Sequence, residues 1–239
     1  MKPRGPASCS QHGFTLVELA IAMLILALLL GGLLEPLAAQ VEQHSIDETQ
    51  QAMEDVREAL LGFAMANGRL PRPASSASDG SERAADCLTN VDCTGYLPWA
   101  ALGSARSDAW GKLFRYSVTK AFANSGGPPI ALSTSGVKRV MTRSAGVPTI
   151  LADQVVAVVI SHGPRNWGLG IDGSSYLDGS ETNADEDANA ANDGQASSPF
   201  FLRTFAAPSG APGGEFDDLV VWIPQTILVS RLVSAGRLP

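Results

Sequence analysis

Positive charge is scarce in this sequence. Against 24 acidic residues, the 239-residue chain carries 17 lysines and arginines, a formal net charge of -7. That balance argues against a nucleic-acid partner, because phosphate recognition draws its affinity from counterions displaced by a basic face. Catalytic signatures are missing as well: there is no glycine-rich phosphate loop, no zinc-ligand spacing and no nucleophile elbow. Ser161 and His162 stand side by side, but adjacent strand residues face opposite ways and cannot form a Ser–His pair. The expectation for His162 is a ring hydrogen-bonded to backbone, and the chain reads as a non-enzyme. Cysteine is scarce too, at three residues: Cys9, Cys87 and Cys93. Cys87 and Cys93 are separated by five residues, in a loop rich in small and polar side chains. In an oxidising compartment they are expected to form a disulfide, contributing roughly 2 kcal/mol in the chain-entropy account. In a reducing compartment they would remain thiols.

The length suits one ordinary domain plus an anchor. No acidic residue occurs in the first thirteen positions, which hold Lys2 and Arg4. From Phe14 to Leu34 the chain then reads FTLVELAIAMLILALLLGGLL, twenty-one residues with Glu18 as the sole ionisable side chain. As a helix this run is roughly 32 Å long, the thickness of a bilayer core. The basic start places the leader in the cytoplasm and the rest of the chain outside. One reading is a secretory signal peptide cut near Leu37-Ala38-Ala39, although Glu35 and Pro36 make an awkward approach to that point. Another is an uncleaved signal anchor. Neither accounts for Glu18.

A carboxylate inside hydrocarbon costs on the order of 3 kcal/mol and needs a partner. Cleavage after Gly13 would supply one, since the new α-amino group of Phe14 then lies one helical turn from Glu18. Two unit charges about 4 Å apart attract by roughly 4 kcal/mol at an effective dielectric of about 20. The string Gly13-Phe14-Thr15-Leu16-Val17-Glu18, followed by an apolar helix, resembles the class III leader of type IV pilins and type II secretion pseudopilins. The resemblance implies a leader over 1–13, cleavage between Gly13 and Phe14 by a prepilin peptidase, N-methylation of Phe14 and a docking role for Glu18. It further implies a single-pass helix over 14–36 in the bacterial inner membrane, a periplasmic head over 37–239, an inner-membrane assembly platform, and other pilins or pseudopilins as fibre partners. Loss of the leader leaves a net charge of about -9.

Helical character continues beyond Pro36. Leu37, Val41, Met53, Val56, Leu60 and Phe63 follow spacings of three, four and seven, with acidic residues between them. Asn67-Gly68 and Pro71 supply the stop, and Gly31, Gly32 and Pro36 are expected to make the middle bendable. A connection of about forty residues follows, too long to be empty. Strands are expected at Leu113–Val118, Gln154–Ile160, Phe200–Phe205 and Leu219–Ile223, with weaker signals at Ile130–Ser133 and Val137–Met141. Pro224 opens a terminal helix, Gln225 to Ala235, which Gly236 stops. The order predicts an α+β fold, a long N-terminal helix packed on an antiparallel sheet. Asp108-x-Trp110-Gly111-x-x-x-x-Tyr116 resembles the approach to the first strand of pseudopilin heads. Ile160 to Pro164 and Phe216 to Trp222 are similar to further segments of that group. Trp110 and Trp222 are expected as core aromatics.

The stretch from Asp172 to Asp193 holds seven carboxylates and no basic residue. Oxygen donors in a loop rich in Gly and Asn suit calcium, and Asp185-x-Asp187-x-Asn189 begins like a calcium loop but lacks the later Gly and Glu of an EF-hand. Resemblance to major pseudopilins implies a calcium site in these loops. Its candidate ligands are Asp172, Asp178, Asp185, Asp187, Asp217 and Asp218, and no other cofactor is expected. The competing readings are a solvated acidic loop, and a strand cap made by Asp217 and Asp218. As a whole the sequence reads as a structural fibre subunit of low copy number, in a secretion pseudopilus or a type IV pilus. A membrane-anchored binding or adhesin module is the alternative, with its contacts on loops; a signal-anchored enzyme has no constellation to build on.

Overall fold

The structure, a computed structural model, describes residues 15–126, 130–144, 146–180, 182–205 and 212–238, and of residues 29–38 and 144 the backbone alone. The chain forms two compact units, one ending at His44 and the other running Ser45–Pro239. The first helix, α1, covers Leu16–Asn67. Its start is a capping box: Glu18 Oε2 accepts the Thr15 backbone N–H at 2.9 Å, and Thr15 Oγ1 accepts the Glu18 N–H at 3.3 Å. Its end is the expected one. Gly68 takes a left-handed φ of 71° and donates its N–H to the Ala64 carbonyl at 2.8 Å.

In the first unit the described apolar side chains of α1 are largely exposed. Leu16, Val17, Met23, Leu24 and Leu28 are all more than 60% exposed, and Leu19, Ile21, Ile25 and Leu26 more than 50%. Among the described residues no helix is long and apolar enough to cross a membrane. The leader with Cys9, Gly13 and Phe14, and the side chains of 29–38, lie outside the described residues.

In the second unit α1 is the spine. Met53, Val56, Leu60, Leu61 and Ala64 are buried, as the three-four spacing dictates. The strands are β1 (Thr94–Tyr96), β2 (Arg115–Val118), β3 (Lys138–Ser144), β4 (Val147–Ser161), β5 (Phe200–Phe201) and β6 (Leu219–Pro224). Short helices α2 (Trp99–Leu102), α3 (Lys120–Ala123) and α4 (Ala184–Ala190) sit between them, and α5 (Gln225–Ser234) closes the chain. The sheet runs β1-β2-β4-β3-β5, with β6 also paired to β4. One core cluster joins α1, α5 and one sheet face through Val56, Leu60, Tyr116, Val159 and Leu228; a second packs Val140, Val158, Ile160, Phe200 and Val220. The valine-rich part of β4 is thus covered on both faces, which is why it reads as an unbroken apolar run. Trp110 packs against the first cluster and Trp222 against the second, both partly buried.

The sheet departs from the sequence expectation at four points. It is mixed, because β3 and β5 run parallel, Val140 opposite Phe200. The strand expected over Ile130–Ser133 is a turn, closed by the Thr134 N–H on the Ala131 carbonyl and the Ala131 N–H on Thr134 Oγ1, each at 2.9 Å. β4 begins at Val147, seven residues ahead of the apolar run, because its first half forms a hairpin with β3 that needs no burial. The strand expected over Phe200–Phe205 is only the pair Phe200–Phe201.

The long connection is stapled rather than empty. Cys87 and Cys93 form a disulfide. Asn124 holds Cys87 from both sides, accepting its N–H at 2.9 Å and donating to its carbonyl at 2.8 Å. Glu82 accepts from Arg69 and from Arg72 Nε at 3.0 Å, and Asp86 takes the other arm of Arg72 at 2.5 Å.

Candidate functional site: a buried carboxylate cluster

The antiparallel register of β4 and β6 sets Ser161 opposite Leu219. The next pair outward is His162 and Asp218, and their side chains meet, Nδ1 to Oδ1 at 3.1 Å. The partner of the His162 ring is therefore a carboxylate and not backbone. Ser161 turns the other way, donating to Asp108 Oδ2 at 2.7 Å, so the two residues form no dyad. α4 supplies the opposite wall. Glu186 and Asn189, three apart, share one face of that helix. Asn189 Nδ2 donates to Asp218 Oδ2 at 2.8 Å, and Glu186 Oε1 accepts the Asp217 backbone N–H at 2.6 Å.

Glu186, Asp217 and Asp218 each offer an oxygen within 4.8 Å of the others, and all three are buried. Asp217 Oδ2 accepts the Arg165 N–H at 3.1 Å, whereas its Oδ1 is buried without a hydrogen-bond partner. Burial, with the charge of Glu186 beside it, pushes Asp217 up to about 8. Asn183 donates through Nδ2 to Glu186 Oε2 at 3.0 Å and to Asp178 Oδ1 at 2.9 Å, and its Oδ1 is likewise buried and unpartnered. Asn166 completes the wall by donating to Glu186 Oε2 at 3.1 Å and Glu215 Oε1 at 2.7 Å. Gly163, with φ of 57°, lets the backbone pass against Asp217: a methyl group there would lie 2.8 Å from Oδ1.

Of the six residues predicted as calcium ligands, Asp217 and Asp218 come together here. Asp178 touches the site through Asn183. Asp185, on the other face of α4, is buried under Arg143 Nη2 at 2.7 Å and Arg203 Nη1 at 2.6 Å. Asp187 accepts from Trp167 Nε1 at 3.1 Å, and Asp172 is exposed, closing a local turn with Ser174. The third carboxylate is Glu186, which the Asp-x-Asp-x-Asn pattern passes over. Its signal in the sequence is the helical spacing to Asn189. In the first unit, Glu18 points back toward the N-terminus, where Thr15 Oγ1 also donates to its Oε2 at 2.8 Å.

Chemically the cluster is a set of oxygen donors with two unsatisfied buried atoms, suited to a hard cation. Comparison with known proteins bears on the other end of the chain. Residues 9–34 match the prokaryotic N-terminal methylation motif, the prepilin-type signature of type IV pilins and pseudopilins. No curated protein and no solved structure matches the chain.

Proposed function

We propose that the chain is a structural subunit, of low copy number, of a type II secretion pseudopilus or a type IV pilus. It is made with leader 1–13, cut between Gly13 and Phe14 by a prepilin peptidase and methylated on Phe14. Segment 14–36 holds it in the bacterial inner membrane, with the head, 37–239, in the periplasm, until an assembly platform draws it into the fibre. The observation that carries this reading is the prepilin motif over 9–34, and the first unit agrees with it. An apolar helix surface exposed all round needs a cover of lipid or of neighbouring helices. Glu18 accepts the N–H of Thr15, the residue that follows the nitrogen the cut would convert into a cation. The span itself rests on the sequence of 14–36, because Phe14 and the side chains of 29–38 lie outside the described residues. Between the two fibres, Asp108-Ala109-Trp110-Gly111 favours the pseudopilus.

The test is Glu18→Ala in the native host. The variant is expected to be processed normally and to be missing from sheared or purified fibres. Normal incorporation would remove the docking role.

The head residues also fit calcium. Glu186, Asp217 and Asp218 would hold it, with the unpartnered Oδ1 atoms of Asp217 and Asn183 as the features that favour an ion. A bound divalent ion would neutralise carboxylates that are otherwise buried against one another.

A further inference from the structure

Lys112 is a buried charge in the head that the fibre reading leaves unused. Its side chain is 1% exposed, and its stem lies against Gly168. The ammonium reaches the backbone carbonyls of His162 at 3.4 Å and Asn166 at 3.0 Å, and also that of Arg165, with the Tyr176 ring 4.8 Å away. Each of those three residues uses another of its groups to hold the carboxylate cluster. His162 binds Asp218 through its ring, Arg165 binds Asp217 through its N–H, and Asn166 binds Glu186 through its amide. The 162–166 loop is thus a layer of dipoles with its carbonyls on the cation and its donors on the anions. Such an arrangement is stable only while charges of both signs are in place. Asp108 fixes the start of this lysine, accepting its backbone N–H at 2.8 Å.

We propose that Lys112 is the buried counter-cation and positioning residue of the Glu186–Asp217–Asp218 cluster, acting through the 162–166 loop beside the half-exposed Arg165 guanidinium, whose Nε lies 3.9 Å from Asp217 Oδ2, and holding the cluster in shape without a metal ion. Beyond Arg165 at its rim, the cluster then has two alternative sources of positive charge, Lys112 and a divalent ion. With Lys112 present, a divalent ion adds little. With its charge removed, the carboxylates repel one another and the head comes to depend on the ion. The ion arm rests on the calcium reading above; the lysine arm does not.

The experiment compares melting of the full-length, detergent-solubilised chain in chelator and in millimolar calcium. It uses wild type, Lys112→Met, Glu186→Gln and Lys112→Met/Glu186→Gln. In chelator Lys112→Met is expected to fall by on the order of 10 °C, as for a buried charge stripped of its partner. The same variant should recover most of that loss in calcium, and its calcium response should exceed that of wild type at least twofold. Removing one carboxylate as well should restore stability in chelator, so the double variant melts above Lys112→Met. If Lys112→Met yields no folded protein, recovery of a folded double variant supports the proposal, and an unfolded double variant overturns it. Lys112→Met melting with wild type in chelator also overturns it, as does a loss that Glu186→Gln does not repair. Repair by Glu186→Gln with no response to calcium in any variant keeps the lysine and rejects the ion.

Discussion

The backbone N–H of Asp217 donates to Glu186 Oε1 at 2.6 Å, joining residues thirty-one positions apart. That bond docks the carboxylate face of α4 on the mouth of the β4–β6 pair and creates the acidic cluster. Two buried carboxylates so close cannot both carry full charge cheaply, and Asp217 is the one pushed toward the proton. A cation that entered would relieve the same strain.

Calcium at about 10 mM is expected to raise the melting temperature of the full chain in detergent by about 3 °C, the shift for a millimolar site. Glu186→Gln should abolish the response, whereas Asp172→Asn, at an exposed turn, should keep it. An unchanged melting temperature in both wild type and Lys112→Met would remove calcium from the account.

The Cys87–Cys93 disulfide anchors the connection between α1 and the sheet. Replacing both cysteines by serine should cost roughly 2 kcal/mol in urea unfolding. Reductant should lower wild-type stability by a similar amount and leave the double variant alone. Equal stability of the two proteins without reductant would show that the loop needs no staple.

Lys138 is fully buried, its ammonium on the Gly194 carbonyl, and burial lowers it to about 7 despite the pull of Asp193. The folded value lies below the unfolded one, so from pH 7 upward the unfolded chain binds more protons and stability rises with pH. Below pH 7 both states are protonated and the burial cost is full. Lys138→Met should therefore be more stable than wild type at pH 6.5, with a gap that narrows toward pH 9 by at most about 1.4 kcal/mol per pH unit. A gap that does not change with pH would contradict the assignment.

Local chemistry was legible in the sequence wherever a single residue forces the backbone. Gly68 and Gly236 end helices at the expected places, and Pro224 opens α5. The capping box formed by Thr15 and Glu18 is equally local, a threonine three residues ahead of a glutamate at the helix start. Long-range choices were not legible. The two residues of β5 pair parallel to β3 because α4 and Asn189 hold Phe201, a partnership that no local pattern encodes. The same holds for the site. Asp217 and Asp218 stood out as adjacent acids, but Glu186 joined them and Asp185 left only because opposite faces of one short helix meet different partners. Nothing in the local sequence marks Lys112 for burial, which depends on a loop fifty residues away.

The central claim is that the chain is trimmed behind Gly13, so that a new cation meets Glu18. Its most direct test is the mass of the N-terminal fragment of native protein extracted from membranes. The account predicts a chain beginning at Phe14 with one methyl group on its amine. A retained leader, or a start near Ala39 or Gln40, would contradict it.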